Sequence, residues 1–317
     1  MSHAGKRRSE GLWAITSYFN PAGFERRLTN YRSFRARLAV PLVTVELAHN
    51  DVFELRSEDA DVLIQVPARD VLWQKERLLN LALHEVPRDC DKIAWLDCDV
   101  VFDRNDWAER SSRELERFAI VQLFSHFTET GPDGPKNAKT LAPRVRGGCS
   151  LAYLLSTGLS IDDVFEKRGA DRLTRGYTGG LAWAARRSVV ERHGFYDACI
   201  LGGGDKAMNA AAFGAFDQVR TLQMNPRQIE HYIDWAQPYA AEVRGCVGHV
   251  KGRICHLWHG ELGHRSHRDR HVGLRRFGFD PFVDIALDRR QLWRWNSDKP
   301  AMHAYVREYF EARREDG

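Results

Sequence analysis

Short apolar runs alternate with segments of helical periodicity through the first 125 residues. The runs predict buried strands over residues 12–19, 41–47, 61–66 and 118–124, and a further strand that ends at Asp97. Apolar residues recur at helical spacing from Phe24 to Leu38 and again over residues 71–84, where Asp70 can serve as the N-cap. Another helix opens at Asn105 and Asp106. Strands that alternate with helices are typical of a mostly parallel sheet, so the pattern predicts an α/β fold flanked by helices.

The pattern is less regular beyond a loop over residues 128–148 that is rich in Gly, Pro, Lys and Arg. Helices are predicted near residues 151–156, 188–193, 205–213 and 226–243, and strands near 181–185 and 254–257. Aromatic residues at helical spacing after residue 288 predict a helix packed on the body. We expect a disordered basic tail over 1–10, two halves of one domain over 11–125 and 126–285, and a C-terminal helical extension over 286–317.

The amino-acid composition narrows the choice of protein class. The chain has 317 residues, of which 43% are hydrophobic, and this is ample for one large domain or two modest ones. The net charge of +4 is a mild excess that by itself favours neither nucleic acid nor membrane. The six cysteines form no Cys-x-x-Cys pair, which suits reduced thiols in a cytoplasmic protein. No run approaches the roughly 18 apolar residues of a membrane span, so any membrane contact is expected to be peripheral.

Two aspartates stand at the tip of the strand that ends the sequence Ile93-Ala94-Trp95-Leu96-Asp97-Cys98-Asp99. Ligands bind at the carboxyl ends of strands in open α/β sheets. Two carboxylates there suit a divalent cation, and the cation suits a diphosphate. The spacing alone is common by chance, and solvated acids in a loop fit it too.

Two segments before residue 185 carry candidate binding groups. Arg77 and Asn80 share one face of the predicted helix over 71–84. Arg77 can contact a phosphate and Asn80 can bond a base or a sugar, although a solvated charged face fits the same pattern. Gly179 and Gly180 precede an apolar strand, where glycine lets the backbone approach a ligand closely or simply turn.

Three glycines at residues 202–204 lead into Asp205 at an apparent helix start. A helix N-terminus stabilises a carboxylate at that position. Asp205 is therefore a candidate general base or an acceptor for a sugar hydroxyl, with a simple helix cap as the alternative.

Two histidines, His256 and His259, flank a tryptophan after a late strand. Either can complete a cation site with Asp97 and Asp99, because mixed carboxylate and imidazole ligands suit Mn²⁺. A basic run follows at once, and arginine forks match phosphate oxygens bidentately. The run predicts a diphosphate clamp formed by Arg265, Arg268 and Arg270.

In this order, the motifs resemble those of GT-A nucleotide-sugar glycosyltransferases, specifically the family-2-like bacterial and phage members, over roughly residues 11–285. The resemblance implies a GT-A-like, Rossmann-like sheet whose first half binds the nucleotide sugar and whose second half binds the acceptor and carries catalysis. It implies Mn²⁺ or Mg²⁺ held by Asp97, Asp99 and one of the histidines, His256 or His259, with the choice left open. It implies donor contacts from Thr16, Tyr18, Glu46, Lys75, Arg77, Asn80, Asp97, Gly179, Gly180, Gly203, Gly204, Arg265, Arg268 and Arg270.

The resemblance also gives Asp205 the role of base toward an acceptor hydroxyl, which would invert the anomeric carbon. Related enzymes often carry Glu-Asp at this point, whereas Gly204 precedes Asp205 here. If Asp205 only bonds the donor sugar, retention stays open. The acceptor is a glycan or, in a phage-type enzyme, a modified DNA base.

Two other classes use some of the same residues. A nucleotidyl- or phosphotransferase also places a cation on paired carboxylates, but the chain has neither a Walker-type loop nor a second carboxylate pair. A non-catalytic nucleic-acid-binding protein could use the Arg/His run, but such a protein is expected to be strongly basic.

Overall fold

The computed structural model describes residues 11–49, 51–132, 144–166, 176–265 and 269–317. The expected tail over residues 1–10, the middle of the loop over 128–148, and Arg268 lie outside the described residues, as does the side chain of Arg265. Within the described ranges, no helix is both long and apolar enough to cross a membrane.

The described strands form two main sheets and a hairpin. In chain order they are β1 (Leu12–Phe19), β2 (Leu42–His49), β3 (Val62–Ala68), β4 (Lys92–Leu96), β5 (Val100–Phe102), β6 (Ile120–Gln122), β7 (His126–Thr130), β8 (Arg144–Ser150), β9 (Tyr177–Thr178), β10 (Ala182–Arg186), β11 (Val247–His249), β12 (Arg253–His256), β13 (Ile285–Leu287) and β14 (Trp293–Trp295).

The central sheet has seven strands in the order β11-β6-β10-β4-β1-β2-β3. Strand β1 pairs in parallel with β2 and β4, and β2 pairs in parallel with β3. Both faces of β1 and β2 are buried, as expected of parallel strands covered by helices. The predicted α/β fold with a mostly parallel sheet is confirmed. Strand β10 is the exception, because it runs antiparallel to both β4 and β6.

A second sheet, in the order β5-β12-β7-β8-β9, begins immediately after the Asp-x-Asp motif. Strand β4 ends at Leu96 and β5 starts at Val100, so residues 97–99 form the link between the two sheets. Strand β12 pairs antiparallel with β5, and this register sets His256 opposite Val100. The second sheet therefore brings His256 close to Asp99.

The described α-helices cover both faces of the central sheet. They are α1 (Glu25–Arg37), α2 (Lys75–Glu85), α3 (Trp107–Glu114), α4 (Leu151–Ser156), α5 (Ile161–Glu166), α6 (Arg187–His193), α7 (Gly204–Ala212), α8 (Pro226–Val243), α9 (Asp269–Arg275) and α10 (Pro300–Ala312).

Alternate residues of β1 belong to the two layers. Leu12 packs in a cluster with Phe34 of α1 and Trp107 of α3, whereas Ile15 packs in the larger cluster on the other face. That larger cluster includes Leu79 of α2 and Val306 of α10. The helix predicted at the end of the chain thus packs on the body, although the stretch before it also contains the hairpin β13–β14.

The predicted start of α2 is wrong by four residues. Gln74, not Asp70, lies at the N-cap position. The Asp70 carboxylate instead accepts a hydrogen bond from the backbone N–H of Trp295 at 2.9 Å, and so fastens the hairpin to the body. By contrast, α8 begins where predicted, because Asn225 and Gln228 form a reciprocal capping box around Pro226 at the first helical position.

Arg77 and Asn80 join α2 to the loop that follows α6. Arg77 donates to the Asp197 carboxylate at 3.1 Å, and the Asn80 amide donates to the same oxygen at 3.0 Å. The Asn80 side chain also bonds both the carbonyl and the N–H of Phe195, at 3.0 and 2.7 Å. Burial raises the pKa of Asp197, and the Arg77 charge opposes that rise. Arg77 and Asn80 therefore hold α2 to the loop after α6, and we call the two residues the α2 clamp.

Asn80→Ala is expected to destabilise the protein by about 2–3 kcal/mol, because it leaves the N–H and carbonyl of buried Phe195 without their side-chain partner and removes one donor from Asp197. Urea unfolding measures the loss. Asn105→Ala, at an exposed position, is the matched control and should change stability by less than about 0.5 kcal/mol. Equal stabilities of the two variants would contradict the clamp.

Candidate functional site

A cavity of about 1220 Å³ opens at the carboxyl ends of β1 and β4, the edge at which open α/β sheets bind ligands. Ser17 and Phe19 line it from β1, and residues 97–99 line it from the link between the sheets. The first turn of α7 and the segment after β12 close its other sides.

Three side chains in this cavity form a cluster with the spacing of metal ligands. They are Asp99, His256 and His259, whose donor atoms all lie within 4.8 Å of one another. The Nε2 atoms of the two histidines are 3.1 Å apart. Asp99 Oδ2 is 3.2 Å from Nε2 of His259, and Asp99 Oδ1 is 3.6 Å from Nε2 of His256.

The donor set fits a divalent cation. Bonds of about 2.1 Å to one ion place neighbouring ligand atoms about 3.0–3.4 Å apart in octahedral or tetrahedral geometry. Two of the observed separations, 3.1 and 3.2 Å, fall within that range, and the third, 3.6 Å, is slightly longer. Both histidines belong to the cluster, although the spacing along the chain left the choice between them open.

Each histidine also has a carboxylate at its Nδ1 atom. Glu129 Oε1 is 3.5 Å from Nδ1 of His256, and Glu315 Oε1 is 3.8 Å from Nδ1 of His259. Although burial opposes ionisation, His256 and Arg146 bring the pKa of Glu129 down to about 2. Burial likewise opposes ionisation of Glu315, yet the charge of Arg27 holds its pKa well below the usual range.

Asp97 lies apart from the cluster and pairs with Lys75. The Lys75 Nζ atom is 2.5 Å from Asp97 Oδ1 and 3.0 Å from Asp205 Oδ2. Burial disfavours the ammonium charge, but Asp205, Asp97 and Glu76 hold the pKa of Lys75 well above its usual value. Burial raises the pKa of Asp97 to about 6, against the opposing effect of Lys75.

Packing explains why residue 204 is a glycine. A Cβ built there would lie 2.2 Å from Glu76 Oε1, so the Glu76 side chain fills the space that a residue at 204 would need. Burial raises the pKa of Glu76 from 4.5 to about 8, with Lys75 opposing and Asp205 adding to the rise. The structure therefore places an acid from α2 beside Asp205, where the resemblance had implied a Glu before it.

The glycines at residues 179, 180 and 203 all line the cavity. A Cβ on Gly180 would lie 2.8 Å from Asp205 Oδ2, and one on Gly179 would lie 2.5 Å from the Asn209 amide nitrogen. Asn209 donates to the Gly179 carbonyl at 2.8 Å. The residues just before β10 and helix α7 thus approach each other more closely than side chains at positions 179 and 180 would permit.

Several residues expected to contact the donor lie behind the cavity instead of in its wall. The Thr16 hydroxyl donates to the Leu96 carbonyl at 2.6 Å, and the Tyr18 hydroxyl donates to Glu54 at 2.6 Å. The Glu46 carboxylate accepts the backbone N–H of Glu54, also at 2.6 Å. Among the described residues, the cavity wall includes none of these three, nor Arg77 and Asn80 of the α2 clamp.

Of the basic run, Arg270 lines the cavity, where its guanidinium bonds the Tyr309 hydroxyl and lies over that ring. The wall also contains groups that no motif indicated, above all Glu129 and Glu315. Glu129 carries no signal beyond its place on a strand. Glu315 is remote from His259 along the chain, so no local spacing connects them.

No family model and no curated protein matches this chain. Among solved structures, residues 1–349 of TarS from S. aureus match at 11% identity with a TM-score of 0.35, over 62% of this chain and 53% of that one. The chain thus spans about half the length of that protein fragment. A putative nucleotide-diphospho-sugar transferase from Desulfovibrio desulfuricans G20 matches at 9% identity with a TM-score of 0.31, over 78% and 82%.

A third solved structure, a mannose-1-phosphate geranyltransferase from Thermus thermophilus, matches at 15% identity with a TM-score of 0.32, over 77% of this chain and 74% of that one. These likenesses are distant, and the fold assignment rests on the strand order and pairing described above.

The buried Glu76 predicts a pH-dependent stability. Between its unfolded pKa of about 4.5 and its folded pKa of about 8, the folded protein keeps a proton that the unfolded chain releases. Stability should therefore fall as pH rises through this window, by at most about 1.4 kcal/mol per pH unit for one group. Glu76→Gln should reduce the fall.

Melting temperatures of the wild type and Glu76→Gln, measured from pH 5 to pH 8.5, test this prediction. The difference in favour of the Gln variant should grow with pH. Glu85→Gln, at an exposed position on the same helix, should show no such trend. A constant difference for Glu76→Gln would show that Glu76 ionises normally in the folded protein.

Proposed function

We propose that this protein is a divalent-cation-dependent glycosyltransferase that moves a sugar from a nucleotide diphosphate donor to an acceptor hydroxyl. The observation that carries the proposal is the cluster of Asp99, His256 and His259 at the carboxyl edge of a mostly parallel sheet. A cation bound there would neutralise the charge of the leaving diphosphate. The mixture of carboxylate and imidazole ligands favours Mn²⁺ over Mg²⁺.

Basic side chains around the cluster suit the phosphates of the donor. Arg27, Arg146, Arg270 and Arg313 all line the cavity. Arg27 and Arg146 are bonded to Glu315 and Glu129, so their forks are held in place by buried or partly buried acids. We assign the diphosphate contact to Arg270 of the basic run.

The shape of the cavity suits two substrates. Its volume of about 1220 Å³ exceeds the roughly 300–1,000 Å³ typical of a site for one small ligand. The cluster and Asp205, on the first turn of α7, both line it. A cavity of this size would leave room for a nucleotide sugar and an acceptor hydroxyl.

Asp205 is the group that we assign to the acceptor. Its carboxylate is at the positive end of α7 and lines the cavity next to Gly180. Lys75 donates to both of its oxygens, at 3.2 and 3.0 Å, which fixes their direction while lone pairs remain for a hydroxyl. Removal of the hydroxyl proton by Asp205 would give an attack from the side opposite the diphosphate and inversion of the sugar carbon.

A donor screen tests the proposed reaction. Hydrolysis of UDP-, GDP- and dTDP-sugars is measured with Mn²⁺ and with EDTA. We expect turnover of at least one donor, its loss with EDTA, and a reduction of about 100-fold or more in Asp99→Asn, which keeps the side-chain shape but loses the charge. Asp103→Asn, at an exposed position near by, should behave as the wild type. Failure of every donor to bind or react would refute the proposal.

With the donor known, Asp205→Asn tests the base. Transfer should slow by about 10²–10⁴-fold, while the donor KM changes only a few-fold, because the amide cannot accept the proton. NMR of the product should show an inverted anomeric carbon. Asp234→Asn, at an exposed position of α8, is the control. Retention of configuration, or an unchanged kcat in Asp205→Asn, would remove Asp205 from this role.

A further inference from the structure

The segment after α10, residues 313–317, folds back beneath the cavity and buries an ion pair. The Glu315 side chain is fully buried. It accepts hydrogen bonds from Nε and Nη2 of Arg27 at 2.6 and 2.8 Å, and from Nε of Arg313 at 2.5 Å. Two guanidinium groups thus hold one carboxylate in a fixed orientation.

Two further contacts fix this segment relative to the cluster. The Asp316 carboxylate accepts the backbone N–H groups of Glu25 and Arg26, at 3.2 and 2.8 Å, at the start of α1. Gly260, next to His259, has a φ of +89°, and a Cβ there would lie 2.8 Å from the Arg314 carbonyl oxygen. The backbone beside His259 therefore packs directly against residues 313–317.

The contact of interest lies between Glu315 and the ring of His259. Glu315 Oε1 is 3.8 Å from Nδ1, while Asp99 is 3.2 Å from Nε2 on the opposite side of the ring. His256 has the same arrangement, with Glu129 at its Nδ1 and Asp99 at its Nε2. A carboxylate at the far nitrogen of a metal-binding histidine fixes its tautomer and its orientation.

We propose that Glu315 is a positioning residue for the cation site. With a cation bound, its carboxylate would hold the proton of His259 on Nδ1, so that the Nε2 lone pair would point to the cation between Asp99 and His256. Cation affinity then depends on Glu315, a residue outside every motif of the chain. The inference rests on the proposed function in one respect, that a cation binds between Asp99, His256 and His259.

Binding of Mn²⁺ to the metal-free full chain, followed by calorimetry or by EPR of the free ion, tests the proposal. Glu315→Gln should weaken Mn²⁺ binding by about 10–100-fold. Asp316→Asn is the matched control, because it loosens the same segment at α1 but does not face a histidine. It should keep the affinity within about 2-fold.

The outcomes separate the two proposals. A wild type that binds no Mn²⁺ would overturn the cation site and this inference together. A wild type that binds Mn²⁺, with unchanged affinity in folded Glu315→Gln, would overturn the role of Glu315 alone. Equal losses in Glu315→Gln and Asp316→Asn would reduce the segment to a structural support and also overturn it.

A second measurement reports directly on the imidazole ring of His259. In ¹H–¹⁵N spectra of the Zn²⁺-loaded wild type, the Nδ1–H proton of His259 should exchange slowly with water because it faces Glu315, and Glu315→Gln should exchange it faster. Equal exchange in the two loaded proteins would refute the proposal. If Glu315→Gln does not fold, Glu315→Asp replaces it in both experiments, because it keeps the charge for Arg27 but draws the oxygen back from His259, with the same losses expected.

Discussion

The ammonium group of Lys75 is the cation around which the inner part of the cavity is arranged. It pairs with Asp97 from the link after β4 and with Asp205 from the first turn of α7, while its own helix carries Glu76 beside them. Without that charge, the carboxylates of Asp97 and Asp205 would face each other in a partly buried space. Removal of one partner from such a charged group lowers the free energy of unfolding by several kcal/mol. The positions of three elements therefore depend on one side chain.

This arrangement separates the two aspartates of the motif. In a continuous strand, residues i and i+2 point to the same side. Strand β4 ends at Leu96, however, and the chain turns at residues 98 and 99, so Asp97 reaches Lys75 while Asp99 reaches the two histidines. The motif thus supplies one carboxylate to the framework of the cavity and one to the cluster. The two residues look like a pair in the sequence, but they have different partners in the structure.

Signals from neighbouring residues predicted local structure well, but they could not predict contacts between residues that are distant in the sequence. The start of α8 follows from Pro226 and the capping box, which act within four residues. Asp70 shows the limit, because its sequence context suits an N-cap, yet its carboxylate bonds the distant Trp295. The antiparallel direction of β10 and the approach of Glu315 to His259 depend on contacts across the whole chain. Asp97, Asp99 and Asp205 could be proposed from short sequence motifs, whereas the carboxylates behind the histidines, Glu129 and Glu315, could not because they lie in no motif.

The relation between Glu76 and Asp205 decides which acid can act as a base. The Glu76 side chain occupies the space next to Gly204. An acid from α2 therefore lies beside Asp205, although the residue before Asp205 in the chain is a glycine. Its pKa of about 8 leaves it mostly protonated at neutral pH, and its side chain is buried. A protonated carboxyl can donate a hydrogen bond but cannot take a proton from a hydroxyl. Asp205 lines the cavity and already accepts hydrogen bonds from Lys75. This supports our proposal of Asp205, and not Glu76, as the group that removes the proton, and the Glu76 side chain instead packs α2 against the start of α7.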